Sequence, residues 1–310
     1  MNARKNERGQ AVVLSVLALV ALLGMSALVL DVGNWFRTQR RLQATADAAA
    51  LAGAQQLPNP GLATSMALAY AKDNGGDVLG TDITVTSTFN TNDTISVKAA
   101  KTEDGVFSKV LGIDTANIDA SAKARTDTPL RVRYVAPMVV SCDHPLIKKC
   151  NGSSNMPQFG PSHPTTLDYD PMGAPGAFGM LNLGGNQNPG TSEEADWILH
   201  GFDQYLDVNK DYRSDPGAKF SSSNIQDALE ERMIEGTALL FPVFETLSGT
   251  GQNANYYIIG WIGFHLESYE IQGNNAILHG YFTEFIANGI LSSSGSGSPN
   301  FGVKSIQLIG

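Results

Sequence analysis

The feature that most constrains this chain is an uncharged run close to its N-terminus. Residues 11–30 read AVVLSVLALVALLGMSALVL, a stretch of 20 residues. At about 1.5 Å of rise per residue, a helix of this length spans roughly 30 Å, which is the thickness of the hydrocarbon core of a bilayer. The sequence therefore predicts a transmembrane helix over residues 10–31, preceded by a short cytoplasmic tail at residues 1–9.

Two other interpretations of this run are a cleaved secretory signal and a buried core helix. A signal has an apolar stretch of only about 7 to 15 residues followed by a cleavage site, which is shorter than the run found here. The helical pattern also continues past the run, because apolar and small residues recur at three- and four-residue steps. These residues are Trp35, Phe36, Leu42, Ala46, Ala49, Gly53 and Leu57. Their recurrence favours a helix that is retained.

The charges predict on which side of the membrane the bulk of the chain lies. Basic residues stand on both sides of the run, at Arg4, Lys5 and Arg8 before it and at Arg37, Arg40 and Arg41 after it. Basic residues near a span bias its orientation, so these two groups oppose each other. A short tail stays readily in the cytoplasm, whereas a long domain is translocated largely regardless of its charge. The bulk is therefore expected to be extracytoplasmic.

The downstream part of the chain is acidic, and this excludes one class of partner. Residues 58–310 contain 15 Lys and Arg against 27 Asp and Glu. Binding to nucleic acid depends on clustered basic residues that neutralise phosphates. No basic stripe follows Arg41, so nucleic acid is not an expected partner.

The chain has two cysteines, Cys142 and Cys150, eight positions apart in a segment rich in Pro, Gly and Asn. An even pair in an exported domain predicts a disulfide. Two free thiols are one alternative. A zinc site that adds His144 and His163 is another, although the paired short Cys-x-x-Cys steps of structural zinc sites are missing.

Periodicity predicts an α+β unit over residues 32–127. A helix over residues 63–73 is followed by two alternating segments, residues 83–89 and 94–100, which form a hairpin around Asn and Asp turn residues. A short helix over residues 106–111 and a strand over residues 116–124 complete it. Helices are expected on one face of a small antiparallel sheet.

The remaining chain is predicted to be an apolar strand and a long loop, followed by a β-rich domain. The strand covers residues 132–140, and residues 143–190 form the irregular connection. Within the extracytoplasmic domain, residues 191–310, Ser223 and Gln226 form a capping box for a helix that ends at Gly236. Three apolar stretches, residues 238–244, 256–269 and 276–287, are expected as strands, and residues 303–308 as a last edge strand.

No motif predicts chemistry, so catalytic residues, cofactor-binding residues, metal ligands and a small-molecule substrate are not expected. The segment Asp207–Asp215 resembles the start of a calcium loop but lacks its Gly and its bidentate Glu. The pairs Glu193/Glu194 and Glu230/Glu231 are adjacent in sequence and are expected to face solvent. Trp197 and Trp261 are expected in the core or at an interface.

Residues 8–57 carry marks of a known family. They are Arg8-Gly9-Gln10 before the apolar run, Asp31-Val32-Gly33 after it, Leu42-Gln43, and the segment Asp47-Ala48-Ala49-Ala50-Leu51-Ala52-Gly53-Ala54. This stretch resembles the N-terminal region of the TadE/TadG-like proteins of tight-adherence (Flp) pilus systems. The resemblance implies a single-pass protein of a bacterial cell membrane, with a small pilin-like α+β unit after the membrane helix.

The resemblance also bears on processing. Pilin-like members of the family are cut after a Gly and carry a Glu five residues later, so Gly9 and Gln10 mark the expected processing site. The fifth residue after Gly9 is Leu14. This difference favours an uncleaved TadG-like anchor over a processed minor pilin.

The resemblance implies a role in assembly rather than in catalysis. Small residues let membrane helices approach closely, and the run offers Ala18, Ala21, Gly24 and Ala27 for such packing. The expected partners are the lipid bilayer and other pilus-assembly components. The function expected is pilus assembly, anchoring or adhesion, and the alternative is a membrane-tethered adhesin that recognises carbohydrate or protein.

Overall fold

The computed structural model describes residues 7–147, 150, 157–172, 176–185, 189–217, 219–291 and 299–309. It divides into two compact units, Met1–Arg125 with Leu308–Gly310, and Thr126–Gln307. A long N-terminal apolar helix precedes a mixture of helices and strands, and the C-terminal part is rich in β-sheet. The α+β character and the β-rich C-terminal part predicted from the sequence are therefore confirmed.

The secondary structure of the described residues is as follows. The α-helices are α1 (Glu7–Ala54), α2 (Pro60–Asp73), α3 (Thr191–Leu199) and α4 (Ser223–Glu235). The strands are β1 (Ile83–Thr86), β2 (Thr94–Asp104), β3 (Thr115–Asp127), β4 (Arg131–Val132), β5 (Met138–Ser141), β6 (Thr165–Tyr169), β7 (Ala177–Met180), β8 (Leu206–Asp207), β9 (Lys210–Arg213), β10 (Leu239–Ser248), β11 (Asn255–Gln272), β12 (Asn275–Thr283), β13 (Phe285–Ile286), β14 (Gly289–Ile290) and β15 (Val303–Leu308).

The first unit is built on the second half of α1. This helix is 48 residues long and runs without a break from the apolar run into the alanine-rich segment. No Pro interrupts this part of the sequence, and alanine is the best helix former. Its buried face packs on α2 and on β2. Asn59 caps α2, because its side chain accepts the backbone N–H of Leu62.

Beside these helices lies an antiparallel arrangement of β1, β2 and β3. β1 and β2 form the predicted hairpin, with Ile83 opposite Val97 and Thr86 opposite Thr94. The Asp93 carboxylate accepts the backbone N–H groups of Thr88, Phe89 and Asn90, which closes the turn. β2 pairs with β3 along its whole length. In place of the predicted helix over residues 106–111, the β2–β3 connection holds one 3₁₀ turn at Ser108–Leu111.

The second unit centres on a seven-stranded sheet of order β10-β5-β7-β6-β12-β11-β9. β10 also pairs with β11, so the strand order closes on itself. The 18-residue β11 allows this closure, because residues 255–264 pair with β10 and residues 263–272 pair with β12. Closure removes most of the unpaired strand edge, which is a common site of unwanted association.

Three strands of this sheet, β5, β7 and β10, are buried on both faces over most of their length. Met138 and Val140 of β5 contact one hydrophobic cluster, and Val139 between them contacts the other. The first cluster also receives Ile225 and Leu229 from α4, which packs against α3. Strands buried on both faces are continuously apolar rather than alternating. The apolar sequences of β5, β7 and β10 have this origin.

Two predictions about residues 128–190 were wrong. The strand over residues 132–140 is interrupted, because Tyr134 has φ 62° and Val135 forms a separate bridge with Phe202. A left-handed residue turns the chain out of the strand pleat. The connection over residues 143–190 contains β6 and β7, which pair with each other and with β12 and β5. Partners distant in sequence form these strands, so local composition does not reveal them.

The start of α4 also differs from the prediction. The helix begins at Ser223, and the preceding Ser222 makes no side-chain capping bond. The Gln226 amide instead donates to the backbone carbonyl of Phe220, which places it outside the predicted capping box. The predicted end is correct, because Gly236 closes the helix at φ 64°.

Candidate functional site

The first half of α1 exposes its apolar side chains on all sides. The exposed large apolar side chains between Val12 and Leu30 each have 55% to 69% of their surface accessible to solvent. A helix that is apolar around its whole circumference requires an apolar environment. Among the described residues, this is the one helix long and apolar enough to cross a membrane. These properties make it a candidate membrane anchor.

The small residues predicted to pack in the membrane lie along this exposed helix. Ala18, Ala21, Gly24 and Ala27 follow three-residue steps, and three residues of an α-helix cover about 300°. The row therefore turns around the helix, so that Ala18 and Ala27 lie on opposite sides. Nothing lies within 4 Å of the position that a Cβ of Gly24 would occupy. Close approach by another helix is thus sterically open at Gly24.

The predicted processing site lies at the start of the same helix. The backbone at Gly9 and Gln10 is helical and belongs to the first turns of α1. Leu14, at the fifth position after Gly9, is an exposed member of the apolar run.

Asp31 links the end of the apolar run to the β2–β3 connection. Its side chain is 4% exposed and accepts three consecutive backbone N–H groups. The N···O distances are 3.1 Å from Val106, 2.8 Å from Phe107 and 2.6 Å from Ser108. Successive N–H groups of this kind form an anion-binding nest, and charge-assisted bonds are the strong class of hydrogen bond. The sequence marks Asp31 but gives no signal for its partner 77 residues later.

One face of the alanine-rich half of α1 is buried in the core of the first unit. Leu42, Ala46, Ala49 and Ala50 are fully buried. A Cβ on Gly53 would lie 2.5 Å from Ile95 Cδ1 and 2.9 Å from the Ala63 carbonyl oxygen. Close approach by α2 and β2 therefore explains the small residues here.

Trp35 and Phe36 lie next to a groove at the end of the first unit that adjoins the apolar run. The groove has a volume of about 350 Å³, and α1 and β3 line it with Val32, Trp35, Phe36, Gln39 and residues 116–119. Phe36 is mostly exposed, whereas the indole Nε1 of Trp35 is buried and has no hydrogen-bond partner among the described residues.

The two cysteines are joined by a disulfide in the second unit, with 5.4 Å between their Cα atoms. Both sulfurs are therefore unavailable as thiolate ligands, which contradicts the zinc alternative. His144 serves the core instead, because its Nδ1 accepts the backbone N–H of Leu146 and its ring contacts Phe282 edge-on. Burial lowers the pKa of His144 to about 4, so this imidazole is neutral at physiological pH.

A buried ion cluster joins α3 to the segment before α4, and no pattern in the sequence indicates it. Glu194 was expected to face solvent but is 1% exposed. The Lys219 ammonium lies 2.6 Å from Glu194 Oε1 and 3.5 Å from Asp215 Oδ2. Burial and a hydrogen bond with Asp215 raise the pKa of Glu194 to about 7. The predictions for Glu230 and Glu231, which are exposed, and for Trp197 and Trp261, which are buried, are correct.

A second surface feature lies in the second unit around Tyr134. Tyr134 holds its left-handed backbone through a hydrogen bond from its N–H to the Phe202 carbonyl and through tight contact with Gly201, which has φ 75°. Its exposed ring lies beneath the guanidinium of Arg133, which also covers the ring of Tyr205. A cleft of about 300 Å³ adjoins Tyr134. Strained, exposed aromatic residues cluster at binding sites, so this surface is a second candidate site.

Comparison with known proteins bears on the candidate membrane anchor. Residues 9–56 match the family model described as "Putative Flp pilus-assembly TadE/G-like". The match confirms the resemblance seen in the sequence, and it covers the apolar run, Asp31 and the alanine-rich half of α1. Comparison with curated proteins and with solved structures finds no match.

Proposed function

We propose that the chain is a membrane-anchored structural component of a Tad/Flp pilus or of its secretion apparatus. The observation that carries this proposal is the uncovered apolar run of α1, because it lies inside the segment that matches the TadE/G-like model. Such a protein acts in assembly, anchoring or adhesion, and it works by packing rather than by catalysis. Its partners are the bilayer and other pilus components.

The proposed orientation has residues 1–9 in the cytoplasm and both compact units outside the membrane. The disulfide between Cys142 and Cys150 supports this orientation, since disulfides persist in oxidising compartments. The acidic composition of residues 58–310 is compatible with translocation, which depends little on Asp and Glu. The first unit is the proposed pilin-like part, and α1 is proposed to remain uncleaved.

Assembly through the membrane helix can be tested at its small residues. Replacing Gly24 and Ala27 with Leu raises the hydrophobicity of the run and blocks close approach, so insertion persists while helix association weakens. We expect in-membrane crosslinking to pilus components to fall several-fold and piliation to fall with it. Leu22→Ile and Leu23→Ile are the matched controls, because they change neighbouring positions without adding bulk. Unchanged crosslinking and piliation in the double variant would argue against assembly through this helix.

The alternative function, a membrane-tethered adhesin, is favoured by the exposed Tyr134 and Tyr205 rings. Aromatic faces flanked by Arg suit the stacking of a sugar ring or contact with an acidic peptide. Tyr205→Ala removes one ring without touching the strained backbone of Tyr134. The adhesin function requires that this variant keep pili and lose attachment. If cells carrying Tyr205→Ala or Arg133→Ala attach normally, a role in pilus assembly is favoured over a role as an adhesin.

A further inference from the structure

The β2–β3 connection is the membrane-proximal tip of the first unit. β2 runs beside α1, and Thr38 donates a side-chain hydrogen bond to Glu103 near the end of β2. Two residues after Glu103, the chain turns and presents the N–H groups of Val106, Phe107 and Ser108 to Asp31. The tip, residues 105–114, is therefore held at the height where the apolar run ends.

The tip exposes apolar side chains although it belongs to an otherwise polar hairpin. Val106 is 68% exposed, Phe107 is 43% exposed and Ile113 is 44% exposed. In contrast, the central part of β2 buries Val97 and Ala99 and exposes Lys98 and Ala100 in regular alternation. A contiguous patch of exposed apolar side chains indicates an interaction site, whereas a single exposed apolar side chain is common on protein surfaces.

The position of the tip, level with the end of the apolar run, indicates which environment surrounds these apolar side chains. If residues 11–30 fill the hydrocarbon core, Asp31 stands at its edge, and the interfacial layer extends about 5–7 Å further on that side. Atoms within hydrogen-bond distance of the Asp31 carboxylate lie in that layer. Trp35, one turn further along α1, is one of the two aromatic residue types that such a layer favours. Exposed Lys109 on the same tip suits the phosphate level of the lipids.

We propose that the tip is a second membrane contact, which inserts Val106, Phe107 and Ile113 into the interfacial layer of the leaflet that α1 leaves at Asp31. The inference rests on the proposed membrane anchor. With one contact, a rigid α1 leaves the unit free to rotate about the helix axis. A second contact fixes which face of the first unit turns toward the bilayer and which face is presented to other components.

Single cysteines carrying a fluorophore can test this contact in the full chain, because the two native cysteines are joined in a disulfide. The site of interest is Phe107→Cys. Phe89→Cys is the matched control, since Phe89 is also 43% exposed and lies near the opposite end of β2, about 30 Å away at 3.3 Å per strand residue. Leu17→Cys in the apolar run reports whether α1 is in lipid. The labelled chains are placed in nanodiscs and exposed to quenchers attached to lipid or dissolved in water.

We expect lipid-attached quenchers to act several-fold more strongly on the label at residue 107 than on the label at residue 89, and dissolved iodide to act in the opposite order. Val106→Cys gives the same comparison if replacement of Phe107 disturbs folding. If the labels at residues 106, 107 and 89 are quenched equally while the label at residue 17 reports lipid, the tip does not contact the membrane. The membrane anchor would then still stand. Labels at residues 106 and 107 shielded from both quenchers would indicate a protein partner and would also overturn it. A label at residue 17 that reports water would overturn the membrane anchor itself.

Discussion

The Asp31 carboxylate accepts the backbone N–H of Ser108 at 2.6 Å, across 77 positions of the sequence. This contact ties the last turn of the apolar run to the tip of the β2–β3 hairpin. Helix and hairpin are thereby held together where the chain leaves the apolar run. The Asp in the Asp31-Val32-Gly33 mark therefore has a structural task, which is to receive the N–H groups of the tip.

Replacing Asp31 with Asn is expected to loosen the tip. The amide keeps one acceptor oxygen but loses the negative charge, and its NH₂ group repels the N–H donors of Val106, Phe107 and Ser108. Amide hydrogen exchange at these residues should accelerate by about tenfold or more, which corresponds to one weakened charged hydrogen bond. Asp114→Asn, at an exposed position of the same tip, should leave exchange unchanged. Equal protection in Asp31→Asn and wild type would contradict the role of Asp31.

Replacing Gly53 with Ala should destabilise the first unit. The added methyl group meets Ile95 Cδ1 at 2.5 Å and the Ala63 carbonyl at 2.9 Å, so α1, α2 and β2 must separate. Overpacking of this kind costs about 1–3 kcal/mol. Gly61→Ala is the control, because its nearest neighbour would be Asn59 Oδ1 at 3.6 Å. Thermal unfolding in detergent should show a lower Tm for Gly53→Ala but not for Gly61→Ala. If the Tm of Gly53→Ala is no lower than that of Gly61→Ala, the packing described here at Gly53 is wrong.

The buried Glu194 predicts that the second unit loses stability as pH rises. Its folded pKa is raised to about 7 from 4.5, so the folded state binds its proton more tightly than the unfolded state does. The resulting stabilisation is fully present below pH 4.5 and is lost as pH rises through about 7. We expect a loss of at most about 3.5 kcal/mol, because the two pKa values lie about 2.5 units apart and each pH unit between them contributes about 1.4 kcal/mol at most.

Urea unfolding between pH 5 and 8 can be followed through Trp197, which is buried in the same helix as Glu194. Glu194→Gln removes the titrating group and should flatten this part of the pH dependence. Glu193→Gln changes the adjacent residue and should keep the wild-type slope. If the slope is the same in all three proteins, the proton on Glu194 does not govern stability.

Opening the disulfide should destabilise the second unit. The Cys142–Cys150 link closes a short loop, and the chain-entropy model gives about 2.5 kcal/mol for a loop of this length. Cys142→Ala with Cys150→Ala should lower the urea midpoint by a corresponding amount. When the chain with both native cysteines is unfolded, a thiol reagent should label Cys142 and Cys150 only after their disulfide has been reduced. Labelling without prior reduction would mean that the chain resides in a reducing compartment.

The sequence predicts well those features that depend on neighbouring residues. The apolar run, the continuation of α1 and the β1–β2 hairpin follow from periodicity and from turn residues such as Asp93. Features formed by distant partners escaped prediction. β7 is a strand because β5 and β6 flank it, and Glu194 can be buried because the Lys219 ammonium lies against its carboxyl group. The binding partner of Asp31 is of the same kind, since a backbone nest has no side-chain signature.

The central claim is that α1 anchors the full-length chain in a bilayer, and extraction of native membranes tests it most directly. Membranes from cells that express the full chain are washed with alkaline carbonate, and the pellet and supernatant are compared before and after detergent. We expect the chain to stay in the pellet until detergent is added, because residues 11–30 are held in hydrocarbon. Recovery of the intact chain in the carbonate supernatant without detergent would contradict it.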